Sequence, residues 1–110
     1  MWRLKTNHSY HDARVRAVEF GTADSVVFEV ELCGCSDSPG ATVHLSFYGV
    51  KNMDEVRNVI DPMLKRAEER AQVAEIIGLA RGDNRRFHID LDQGAQSITL
   101  YISAKSFIET

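Results

Sequence analysis

A chain of 110 residues, 44% hydrophobic and 26% charged, has the composition of one ordinary globular domain, able to bury roughly two-thirds of its unfolded surface in a single core without staples. Its formal net charge of −3 argues against gripping phosphate backbones or anionic lipid, since either task needs a concentrated basic face. No apolar run approaches a membrane span, and residues 1–17 lack the apolar stretch of a signal peptide, so the chain reads as a soluble cytoplasmic protein.

Residues 1–12 show no period and read as an irregular N-terminal arm, with Trp2 and Leu4 as apolar anchors. From Ala13 the apolar positions Ala13, Val15 and Ala17 change phase to Val18 and Phe20, which predicts a strand with a bulge near Ala17. A turn over residues 21–24 leads to a second strand over 25–33, where Val26, Phe28, Val30 and Leu32 alternate with Val27, Glu29 and Glu31. Residues 34–41 form a loop by their Gly, Ser, Asp and Pro content. Cys33 and Cys35 flank one glycine; joining them would close a small, strained ring, so reduced thiols are expected, in keeping with the cytoplasm.

The clearest strand runs from Thr42 to Tyr48, with Val43, Leu45 and Phe47 on one side and His44, Ser46 and Tyr48 on the other. Gly49 ends it. Asn52 then has the side chain of a helix cap, with Glu55 three residues on to complete a capping box, and Asp54 and Glu55 suit the positive end of the helix dipole. Pro62 interrupts this helix, because proline lacks an N–H and its ring crowds the preceding turn; Asp61-Pro62 is also a restart signal. Met63, Leu64, Ala67, Ala71 and Ala74 then make one apolar stripe, so a kinked pair of helices is expected. Residues 74–81 admit either a longer helix or a strand. The hairpin chemistry of Gly82-Asp83-Asn84 and the alternation of Phe87, Ile89 and Leu91 beyond it favour the strand. A last strand carries Ile98, Leu100 and Ile102, and Phe107 and Ile108 tuck the tail down. The expected fold is a single α+β domain over 1–110: an antiparallel sheet of five or six strands with an interrupted helical segment packed on one face.

Covering one face with helix leaves the other to the outward residues. These include Glu29, Glu31, His44, Tyr48, His88 and Tyr101, with Arg86 and Asp90 among them. A solvated sheet surface is the bland reading of such a set. The functional reading is a binding face, because two tyrosines and two histidines are more amphipathic than solvation requires, and Glu29, Glu31 and Asp90 would prefer a basic partner. In the arm, His8, His11 and Asp12 have residue types that hold metals, against the plainer reading of solvated side chains. No phosphate loop, dinucleotide fingerprint, GxSxG elbow or HExxH pair occurs, and Arg85-Arg86 and Arg14-x-Arg16 read as solvated basic pairs beside acidic neighbours.

His11-Asp12-Ala13 opening the first strand, together with Leu45-Ser46-Phe47-Tyr48-Gly49-Val50 closing a later one, resembles small uncharacterised bacterial single-domain proteins, some of immunity (toxin-neutralising) type. The resemblance implies a stand-alone domain, in one form an inhibitor that binds a partner, and assigns no site residue. The functional expectation is a non-enzymatic protein-binding module with no cofactor, no nucleic acid and no membrane among its partners, associating as a homodimer because an open antiparallel sheet exposes its edges. The alternative, from another class, is a small histidine-dependent metal-binding protein or enzyme.

Overall fold

In the computed structural model, which describes residues 2–3, 6, 8–22, 24–34, 38–67, 73–82, 85–94 and 96–110, every run of alternating apolar residues becomes a strand. In chain order the elements are β1 (Trp2–Arg3), β2 (Ala13–Phe20), β3 (Val26–Glu31), β4 (Thr42–Tyr48), α1 (Met53–Arg66), β5 (Ala74–Arg81), β6 (Arg86–Gln93), β7 (Gln96–Ser103) and β8 (Ser106–Glu109). They form one antiparallel sheet in the order β7-β6-β5-β2-β3-β4-β8, with β1 beside β5, and α1 is the single helix among the described residues. The class is α+β. Residues 74–81 are strand, and the bulge expected near Ala17 is present as a register shift between Val15 and Ala17. A second shift, between Ile76 and Gly78, turns Ile77 outward to 43% exposure.

Two strands exceed the five or six expected. β1 lies in the supposedly irregular arm and is only two residues long. β8 pairs with β4 through Leu45–Glu109 to Tyr48–Ser106, and its four residues are too few to show a period. It also changes the shape of the sheet. β7 and β8 stand at opposite ends of the pairing order, yet Ala104 and Lys105 alone separate them in the chain. At that bend the Ala104 N–H donates to the Arg85 carbonyl on the β6 side, and the Lys105 N–H to the Tyr48 carbonyl on the β4 side. The sheet is therefore curled until its two ends meet. Phe47, Phe87 and Phe107, from β4, β6 and β8, pack ring against ring inside the curl, with centroids 5.0 to 5.6 Å apart.

The helix differs from expectation in three respects, each with a physical cause. It is continuous through Pro62, because that residue and Asn58, whose carbonyl loses its bond there, are both exposed, so water can satisfy the freed acceptor. It ends at Arg66, with Ala67 as C-cap, and does not extend the Met63–Ala74 stripe, for Ala74 starts β5; residues 68–72, which include Ala71, lie outside the described residues. Its N-cap Asn52 makes no side-chain capping bond, since that amide is committed elsewhere. Val56, Ile60 and Met63 are its buried stripe and join one core with Phe28, Leu45, Phe47, Ile76, Ile89, Leu91, Leu100 and Ile102. A large side chain buried this fully contributes about 1.5–3 kcal/mol.

Cys33 is disulfide-bonded, which overturns the expectation of reduced thiols. Among the described residues there is no free cysteine; the second cysteine of the chain, Cys35, lies outside them. A short sequence separation keeps the entropy of closing a loop small, which works against ring strain. The support that reduced thiols lent to a cytoplasmic location falls with it. Among the described residues no helix is long and apolar enough to cross a membrane.

Candidate functional site

Antiparallel register decides which outward side chains meet. On β6 and β7 the pairs Arg86–Ser103, His88–Tyr101 and Asp90–Thr99 face one another, and directly opposed side chains in such a ladder touch. The His88 and Tyr101 rings stand edge to face at 4.5 Å, and the Arg86 guanidinium lies over the same Tyr101 ring at 4.5 Å. Tyr101 keeps 38% of its surface exposed between them. Thr99 donates its hydroxyl to Asp90 at 2.8 Å. From the other side, the Asn52 side chain donates to the Tyr101 carbonyl at 2.8 Å and accepts from the Ser103 N–H at 2.9 Å. The strand beneath the ring is thus held along both edges.

Tyr48, 41% exposed, ends β4 opposite Ser106, and its carbonyl takes the Lys105 N–H. The next residue, Gly49, turns with φ +66°, and a Cβ there would meet the Lys105 side chain at 2.8 Å, so this corner requires glycine. Tyr48 and Tyr101 therefore flank the β7–β8 bend. The other expected residues lie elsewhere on the sheet. Glu29 opposes His44 in the β3–β4 ladder. Glu31 forms an ion pair with Arg16, whose Nε lies 3.0 Å from the carboxylate. Ser46, an outward residue by its period, is buried between Val27 and the β8 residue Ile108, which is itself 47% exposed.

The metal candidates of the arm split up. His11 and Asp12 pair at 3.1 Å in the open, while His8 stands edge-on to Tyr10 at 6.4 Å. Tyr10 is buried and donates its hydroxyl to Glu109, tying the arm to β8. Asp12, with φ +64°, also lines a cleft of about 510 Å³ with Arg14, Glu31, Cys33 and Glu75, where Arg14 faces Glu31 on one side and Glu75 on the other. Among the described residues no three His, Cys, Asp or Glu side chains come together in a way that could hold a metal ion.

Lys105 and Gln93 carry no signal in the sequence, and Arg85 shows there only as half of a basic pair with Arg86. Arg85 and Lys105 become neighbours only through the bend, where Arg85 Nη1 reaches the Lys105 carbonyl at 3.5 Å; the pair is far apart in the chain and no motif joins it. Gln93 is buried at the end of β6, donating to the Met63 and Val73 carbonyls and accepting from Arg66. A glutamine within a turn-like segment carries no signal of such a role. Set against known proteins, the chain matches no family, no curated protein and no solved structure.

Proposed function

We propose that this protein is a non-enzymatic binding module that engages a protein partner through the surface centred on Tyr101, with Tyr48 at its margin. The observation that carries this reading is the clamped state of Tyr101: exposed, yet held between the His88 ring and the Arg86 guanidinium. A tyrosine already fixed in one pose loses little conformational freedom on binding and offers both apolar area and a hydroxyl, which is what recurrent binding anchors supply. An inhibitor of immunity type is one form such a module takes; for the histidine-dependent metal alternative, no group of three candidate ligands comes together among the described residues.

Affinity capture from the source cells tests the proposal, with Tyr101→Ala and Tyr48→Ala beside the parent chain. A protein retained by the parent and released by Tyr101→Ala supports it, the loss corresponding to about 2 kcal/mol or more for a buried anchor. Equal retention by a folded Tyr101→Ala overturns it.

The proposal includes a homodimer, supported by the end strand β8, which pairs with β4 on one side only, since strand edges recruit second copies. Light scattering at micromolar concentrations and above should report twice the chain mass; a single-chain mass throughout that range removes the dimer.

A further inference from the structure

We propose that the Tyr101 surface is shaped to receive an acidic polypeptide segment, an inference that rests on the contact face proposed above and gives its partner a charge. Three cations gather where β6, β7 and β8 meet. Arg86 lies over the Tyr101 ring. Arg85 precedes it, with its carbonyl bonded by Ala104 and its guanidinium at the Lys105 carbonyl. Lys105 occupies the bend itself, its amide on Tyr48. None of the three is in an ion pair with another described residue, whereas Arg16 on the same sheet is paired with Glu31. A guanidinium stacked on an aromatic ring keeps its N–H edge open and presents two parallel donors, the geometry that a carboxylate matches.

Two of the three carboxylates that pointed to a basic partner are engaged within the fold, Glu31 with Arg16 and Asp90 with Thr99. Among the described residues, acidic positions also border the corner. Asp54 and Glu55 belong to the first turn of α1, and Asp24 accepts the Val50 N–H through its carbonyl. They bound the surface in a way that decides between two kinds of anion. A nucleic-acid strand carries a charge at every residue and needs an extended basic face, which three cations with Asp54 and Glu55 nearby, on a chain whose net charge is already −3, do not supply. A short acidic segment places two or three carboxylates on the cations and its other residues against Tyr101 and Tyr48.

Amide chemical-shift mapping of the intact chain at low ionic strength tests this, with decaglutamate, decalysine and a ten-nucleotide oligothymidylate as probes. Decaglutamate is expected to shift a contiguous set of amides around Arg85, Arg86, Tyr101 and Lys105, with the shifts fading as salt rises. Its affinity should fall roughly tenfold or more in Arg85→Glu/Arg86→Glu and by a smaller factor in Lys105→Glu, a variant that alters no ring contact. Unchanged amides elsewhere report that each variant is folded. If decalysine, not decaglutamate, perturbs the Tyr101 region, the contact face stands and the acidic partner falls. Tighter oligothymidylate binding there makes nucleic acid the occupant and overturns the inference, as does decaglutamate binding elsewhere or nowhere.

Discussion

Asn52 holds Tyr101 from the edge of the sheet: its amide N–H meets the Tyr101 carbonyl and its amide oxygen meets the Ser103 N–H, so one side chain reproduces the two bonds a neighbouring strand would supply. This is why the residue beginning α1 makes no side-chain capping bond, and why β7 is closed off beside the proposed contact surface. Glu55, expected to reach back to the Asn52 backbone, meets the Asn52 side chain at 3.4 Å.

Substitution separates the observed bonding to β7 from the helix capping expected of Asn52. Asn52→Ala should lower stability by about 0.5–1.5 kcal/mol, the net worth of an ordinary hydrogen bond, because one of its two bonds is exposed and the other part-buried. Asn52→Asp keeps a good cap and adds charge where the helix dipole favours it, but it has no N–H for the Tyr101 carbonyl. Both variants should therefore unfold at lower urea than the parent with unchanged slope. An Asn52→Asp chain as stable as the parent would assign Asn52 to capping.

Gln93 is the second side chain that links elements, joining the Met63 carbonyl in α1, the Val73 carbonyl before β5 and the Arg66 guanidinium. Gln93→Leu keeps the volume but strands buried acceptors, so a loss of about 2–4 kcal/mol is expected in chemical unfolding, more than an ordinary surface change of ±0.5. Hydrogen exchange should quicken first at Ala67 and Val73, where the helix end and the start of β5 are joined. A loss no greater than that of Gln96→Leu, an exposed glutamine on β7, would contradict this.

Much of this architecture was legible because burial on one side writes a period of two into a strand. Val26, Phe28 and Val30 are buried as their spacing demands, and so are Val43, Leu45 and Phe47. What escaped lies where partners come from far along the chain. Phe107 and Ile108 are adjacent apolar residues with no period, and only the β4 edge makes them strand. Tyr10 looked like part of a polar arm until Glu109, 99 residues away, received its hydroxyl. Pro62 was a sound breaker signal overridden by an exposed position. For the candidate site, alternation alone made His88 and Tyr101 outward residues; their contact required the β6–β7 register, and the company of Arg85 and Lys105 required the bend.

The state of Cys33 is open to direct count. With Cys33 in a disulfide and two cysteines in the chain, Ellman's reagent should find no reactive thiol in native or denatured protein before reduction, and two after it. Thiol in the untreated, denatured chain would restore the reduced cysteines expected from the sequence.

The Tyr10–Glu109 bond makes an alkaline prediction. Burial first, then the hydrogen bond to Glu109 and the negative charge of that carboxylate, raise the Tyr10 phenol well above its ordinary range. The folded chain therefore holds this proton more tightly than the unfolded chain, where a tyrosine titrates near 10. A group whose folded-state pKa is raised contributes stability in full below its unfolded value and loses it as pH climbs beyond that value. Stability should thus be insensitive to Tyr10 at neutral pH and fall progressively above about pH 10, where the unfolded chain releases a proton that the folded chain keeps. Tyr10→Phe has no proton to release, so its unfolding midpoint should decline less over the same interval, even if the variant begins less stable for want of the Glu109 contact. Ultraviolet titration offers a second readout: a late phenolate step that coincides with the loss of the far-ultraviolet circular dichroism signal in the parent should be missing from Tyr10→Phe. Parallel alkaline profiles for the two proteins would mean that the hydroxyl is not held as the Glu109 geometry requires.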